Sequence, residues 1–155
     1  KGVSHIILLG PMNGYASEIK SQGKAALKKA ERYARAFIKQ GNKHALLPET
    51  VWGWPWTADA QRFISLYSGN SEEEIFTYWD EGRTPRALRS VKVPILVLLA
   101  EKDEYADRSA KKMGEWFMKW LYMGHVVVIP KVKHSFHGAE KEVARVIKSF
   151  MKDSS

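Results

Sequence analysis

Two stretches in the last third of the chain end in side chains able to move protons. The apolar run Val93-Pro94-Ile95-Leu96-Val97-Leu98-Leu99 gives way to Ala100-Glu101-Lys102-Asp103-Glu104-Tyr105, and Val126-Val127-Val128-Ile129-Pro130 gives way to Lys131-Val132-Lys133-His134-Ser135-Phe136-His137-Gly138. Each run has the length and branched content of a buried strand. Asp103 and His134 therefore stand at strand carboxyl ends, where loops converge and ligands bind in open parallel α/β sheets. A carboxylate that orients an imidazole, and an imidazole that takes a proton from a nucleophile, are two of the three parts of a hydrolytic triad. Other roles stand beside these. Asp103 also suits a cap on the turn that follows it, Glu101 and Glu104 are rival acids, and His137 is a rival base. Asp107, three residues before Ala110, is the better-placed helix cap. His134 and His137 lack a carboxylate at recognisable ligand spacing, so no metal is expected there. His5 and His44 have no partner that sequence identifies.

The elements that must position these groups alternate in type. Residues 3 to 9 read as a strand. Leu27, Ala30, Ala34, Phe37 and Ile38 recur at helical spacing within a helix over 21–40, which Gly41 ends. A short helical pattern runs through Phe63, Ile64 and Tyr67, and Ser71-Glu72-Glu73-Glu74 has the form of a capping box opening another helix. A strand over 93–99, a helix over about 108–122, a strand over 126–130 and a helix over about 138–151 follow. Val143, Val146, Ile147, Phe150 and Met151 give the last helix one apolar face. The expected fold class is α/β: a parallel sheet of about three strands with flanking helices, its near-continuous apolar strands buried on both faces. Gly10-Pro11-Met12-Asn13-Gly14 reads as a tight turn into a surface loop. It is neither a Walker sequence nor a dinucleotide fingerprint, and no cofactor is expected.

Residues 93 to 152 resemble the end of a serine α/β-hydrolase. In that family a hydrophobic strand ends in a Gly/Ala-Glu-Lys-Asp turn carrying the acid, and the next leads to a His-Ser-Phe or His-Gly-Phe turn and an amphipathic last helix. Here these read Ala100-Glu101-Lys102-Asp103, His134-Ser135-Phe136 and Glu140 to Met151, while Val3 to Pro11 is more weakly similar to the strand after the nucleophile helix. The resemblance implies a C-terminal half, with Asp103 as acid and His134 as general base. Family order is nucleophile, acid, histidine, so the chain is expected to begin just downstream of the nucleophile. Consistent with that, no G-x-S-x-G elbow occurs; Leu66-Tyr67-Ser68-Gly69-Asn70 lacks the first glycine. Both oxyanion-hole donors of the fold would lie upstream as well. The resemblance further implies a lid or cap insertion over 42–90, within a single partial domain spanning 1–155, with Trp52, Trp54 and Trp56 lining an acyl substrate site. Core packing is the competing role for these tryptophans.

The implied activity is hydrolysis of an ester, thioester or amide, with this chain alone inactive. The alternative is a non-catalytic α/β binding or interaction module. A three-strand piece of a larger sheet leaves an open edge at Ile6 to Leu9, so a homodimer or the missing N-terminal half is expected to pair there. With 155 residues, 45% of them hydrophobic and 27% charged, the chain suits one globular unit. The absence of cysteine excludes a disulfide scaffold. No apolar run is long enough to span a bilayer, and a cytoplasmic protein with no membrane partner is expected. The charge of +8 makes nucleic acid a partner to weigh. Its cations read as a scatter over solvated helix faces, however, which disfavours nucleic acid.

Overall fold

A computed structural model describes residues 2–52, 57–71 and 73–153. The chain divides into two compact units, one formed by Lys1–Met12 with Ile75–Ser155 and the other by Asn13–Glu74. The segment that clusters apart from the sheet is thus 13–74.

The first unit holds the sheet. Strands β1 (Ile6–Leu9), β2 (Ile95–Ala100) and β3 (Gly124–Ile129) lie in that spatial order, all parallel. Only β2 is buried along its whole length. Burial on both faces, expected of all three strands, fails at the edges: β1 alternates, with Ile7 38% and Leu9 52% exposed, and Val128 of β3 is also exposed. The reason is topological, since among the described residues each edge strand has one neighbour and fewer elements to cover it. In the β1–β2 register Ile7 pairs with Leu96 and Leu9 with Leu98. Leu96, Leu98 and Ala100 form a core with Ile129, Phe136 and Phe150, against which Val143, Val146 and Ile147 pack. These belong to the C-terminal helix, Glu140–Asp153, whose apolar face is the one expected, save that Met151 is partly exposed.

A helix over Ala110–Trp120 covers the opposite face of β2 and β3, and a short helix over Arg86–Ser90 precedes β2. Ser109 caps the former: its side chain accepts the Lys112 N–H. Asp107, the expected cap, instead pairs with Arg108 at 2.9 Å. Ser109 sits directly before the first helical residue, where its hydroxyl reaches the orphan N–H groups of the first turn.

The second unit is helical. Helices over Gly14–Gln22, Lys24–Lys39 and Ala60–Tyr67 enclose Leu27, Ala30, Ala34, Leu47, Trp52, Ala60 and Phe63. Lys24, Lys28, Arg32, Arg35 and Lys39 share one stripe at 100° per residue. Within this helix the cations are aligned, and the scatter expected from sequence describes only their distribution over the whole chain.

Two further expectations are corrected here. Gly10 to Gly14 is not an entry to a surface loop, because Asn13 is fully buried and its side chain accepts the Ala16 N–H at 2.7 Å as the cap of the first helix. Among the described residues, Ser71, Glu73 and Glu74 open no helix. The Ser71 hydroxyl donates to the Ser65 carbonyl, and the Glu74 carboxylate accepts from the Asn13 side-chain amide and, at 3.0 Å, from the Gly14 N–H. The Glu74 carboxylate thus satisfies the start of a helix 60 residues away rather than closing a local capping box. It also joins the first and last residues of the second unit.

Replacing Asn13 by alanine removes this cap. Asn13→Ala is expected to cost about 0.5–2 kcal/mol of local stability, read as faster amide exchange over the first helix. Glu73→Ala, which breaks an exposed pair with Arg62, should cost less than about 1 kcal/mol. Equal acceleration in both variants would remove the special role of the Asn13–Glu74 clasp.

Candidate active site

Asp103 and His134 approach one another where the turns after β2 and β3 meet. Asp103 Oδ2 lies 2.9 Å from His134 Nδ1, with the Asp103 side chain 8% and the His134 side chain 31% exposed. Asp103 Oδ1 accepts the Tyr105 N–H at 2.9 Å, so both carboxylate oxygens are engaged. An ionised carboxylate can only accept, which places the imidazole proton on Nδ1 and the ring's lone pair on Nε2. That tautomer suits a general base.

The rival acids have structural tasks. Glu101 Oε2 accepts the Lys131 N–H at 2.7 Å, and Glu104 Oε2 accepts the His134 N–H at 3.0 Å. The Lys102 N–H donates to the Val132 carbonyl at 2.9 Å. The β2 turn therefore grips the β3 turn at three points apart from the Asp103–His134 contact. Such a grip has work to do, because Lys131 and Phe136 have positive φ of 62° and 54°. A left-handed conformation costs an L-residue about 1–2 kcal/mol and persists where the surroundings over-determine it.

The ring of His134 is enclosed as well as hydrogen-bonded. Tyr105 meets it edge-on, with centroids 5.2 Å apart and planes at 88°. On another side lies Gly10, at the tip of β1. A residue that follows β3 in the chain thus brings its ring to the tip of β1. Among the described residues nothing hydrogen-bonds His134 Nε2.

The remaining histidines are elsewhere. His137 is almost fully exposed and pairs with Glu140 at 3.5 Å. His44 lies 3.1 Å from Asp59 in the second unit. The Asp59 carboxyl is held below its ordinary range first by the Arg62 N–H it accepts as a helix cap, then by His44. His5 contacts the Ser4 hydroxyl at 3.0 Å and stands edge-on to Phe150. Among the described residues no group of three His, Asp or Glu could hold a metal.

Trp52 is 1% exposed and packs against Phe63 and Tyr67 at centroid distances of 4.9 and 5.3 Å. It is a core residue of the second unit rather than a lining one. Trp54 and Trp56 lie outside the described residues. Sequence reasoning missed Gly10 and the pinning roles of Glu101 and Glu104. The carboxylates were visible in Glu-Lys-Asp-Glu, but their acceptance of N–H groups 30 residues on was not.

With this geometry in view, the chain's relatives fall into place. Residues 2–152 match the family described as "Protein of unknown function (DUF1749)". The chain belongs to that family. No curated protein sequence matches it. Among solved structures it is similar to carboxylesterase CesB (YbfK) from Bacillus subtilis, at 18% identity and a TM-score of 0.52, over 96% of this chain and 51% of that one. It is also similar to esterase RhEst1 from Rhodococcus sp. ECU1013, at 13% identity and a TM-score of 0.50, over 99% of this chain and 57% of that one. The fold is α/β-hydrolase-like, and the chain spans little more than half the length of these structures. No helix among the described residues is long and apolar enough to cross a membrane.

Glu104 provides a test of the loop grip. The His134 N–H it accepts is the first cause holding its carboxyl below the ordinary 4.5. A carboxyl whose pKa is depressed on folding contributes stability above its unfolded value, and that contribution is lost as pH falls through the folded one. The His134 backbone amide shift should therefore titrate with a midpoint below 4.5, and Glu104→Gln should abolish the titration. A midpoint at or above the ordinary value would contradict the grip.

Proposed function

We propose that this chain carries the acid and the base of an α/β-hydrolase-type hydrolase acting on an ester, thioester or amide bond, and that a preceding segment of a longer protein supplies the nucleophile. The observation that carries the proposal is the contact of Asp103 Oδ2 with His134 Nδ1 at 2.9 Å, made by a ring brought from beyond β3 to the tip of β1. Delivery across the strand tips gives the imidazole access to a group entering beside β1. There β2 is the strand's single neighbour among the described residues, and Ile7 and Leu9 are partly exposed. The absence of a G-x-S-x-G elbow from the 155 residues supports the same division.

In the completed site His134 Nε2 takes the proton of the attacking hydroxyl as the hydroxyl oxygen bonds to the substrate carbonyl carbon. The resulting imidazolium then gives that proton to the leaving group, and an acyl-enzyme remains. Water, deprotonated by the same nitrogen, then attacks the acyl carbon; the bond from that carbon to the nucleophile's oxygen breaks, the imidazolium returns its proton to that oxygen, and the acid leaves. Asp103 holds the Nδ1–H tautomer throughout and stabilises the imidazolium. The oxyanion donors, worth roughly 100- to 1,000-fold in rate, belong to the preceding segment in this proposal. The substrate is a small acyl compound, and this chain alone is inactive.

A fluorophosphonate probe tests the division of labour. The 155-residue chain should remain unlabelled, and a longer protein carrying the upstream half should be labelled. In that protein His134→Ala should abolish labelling. Asp103→Asn should lower kcat by about 10⁴-fold through loss of the correct tautomer, with the fold intact. Stoichiometric labelling of the short chain, or labelling of the longer one that survives His134→Ala, would overturn the proposal.

A further inference from the structure

We propose that Gly10 is a positioning residue for the His134 imidazole: the space left by its missing side chain lets the ring lie over the tip of β1 while Nδ1 keeps its bond to Asp103. The inference rests on His134 being the base of the site. Gly10 ends β1, its N–H donating to the Leu98 carbonyl at 2.9 Å, so its main chain is fixed to the sheet. A Cβ at this position would stand 3.1 Å from His134 Cε1, 3.3 Å from Nδ1 and 3.5 Å from Phe136 Cε2. Ordinary carbon contacts lie at about 3.5–4.0 Å, so the ring would have to retreat.

Its retreat is restricted. Tyr105 stands against the ring, Phe136 is buried in the core beneath the sheet, and the His134 N–H is tied to Glu104. The remaining freedom is rotation of the imidazole, which moves Nδ1 relative to Asp103 Oδ2. Gly10 also has φ of +56°, a conformation that L side chains rarely adopt. Backbone strain and ring displacement are therefore separate consequences of any substitution. Gly138 separates them experimentally, because its φ is +83° but a Cβ there would meet nothing within 4 Å.

The experiment compares Gly10→Ala with Gly138→Ala in this chain by imidazole ¹⁵N and low-field proton NMR at a pH where His134 is neutral. The unaltered chain should show the Nδ1–H tautomer, a low-field Nδ1 proton, and an Overhauser contact between the Gly10 α-protons and His134 Hε1. Both variants should lower the thermal midpoint through backbone strain. Only Gly10→Ala should lose the low-field proton and shift the tautomer towards Nε2–H. In the longer protein Gly10→Ala should lower kcat by roughly 10- to 100-fold, the cost of a displaced catalytic group, with KM unchanged.

Retention of the Nδ1–H signal in Gly10→Ala, or its equal loss in Gly138→Ala, would overturn the positioning role. If Gly10→Ala does not fold, absence of the Overhauser contact in the unaltered chain would overturn it and its presence would support it. Loss of the signal in a longer protein without hydrolase activity would sink the hydrolase proposal instead, while the steric contact would stand.

Discussion

A single hydrogen bond across the tips of two strands, from His134 Nδ1 to Asp103 Oδ2, sets the constraint that the rest of the sheet unit serves. The histidine follows β3 in the chain, its backbone N–H is held by Glu104 of the turn after β2, and its ring comes to rest by Gly10 at the tip of β1. For that reach to be reproducible, the three strand tips must be fixed relative to one another. The buried β2 provides this, pairing in register with β1 from Ile6 to Leu9 and with β3 from Gly124 to Ile129. Burial of Leu96, Leu98 and Ala100 against the last helix then becomes part of the site's geometry.

The turns above the sheet use carboxylates in two ways. Asp103 meets the imidazole, while Glu101 and Glu104 accept backbone N–H groups of the opposing turn. Charge-assisted bonds of this kind are stronger than neutral ones, and they hold a turn containing two left-handed residues with side chains. The imidazole is then presented in one orientation by a backbone already committed to it.

The second unit follows a different principle. Its first and last residues are joined through the Glu74 carboxylate, which serves both Asn13 and the Gly14 N–H, and its core is assembled from its own residues. Gly14 has to be glycine for this close approach, since a Cβ there would stand 2.9 Å from both Glu74 Oε1 and the Leu66 carbonyl oxygen. The two chain crossings at Met12 and Ile75 are then the covalent links to the sheet unit.

By itself the sequence determined the strands, the longer helices and the placing of an acidic turn and a histidine turn after two of those strands. Those features are written in local patterns: apolar runs, helical spacing and an acidic turn after a strand. It also determined the fold class, because apolar strand-like runs are interspersed with amphipathic helical segments along the chain. Residue types alone left Glu101, Asp103 and Glu104 open and only the resemblance favoured Asp103; the tertiary structure puts Asp103 at the imidazole and gives Glu101 and Glu104 backbone N–H partners 30 residues away. It likewise decided that Ser71 to Glu74 is no helix start, because the Glu74 carboxylate finds a better partner across the second unit. The role of Gly10 was equally illegible: a glycine after a strand reads as a turn, and only the approach of a ring from a residue more than 120 positions further along the chain reveals what its missing side chain permits.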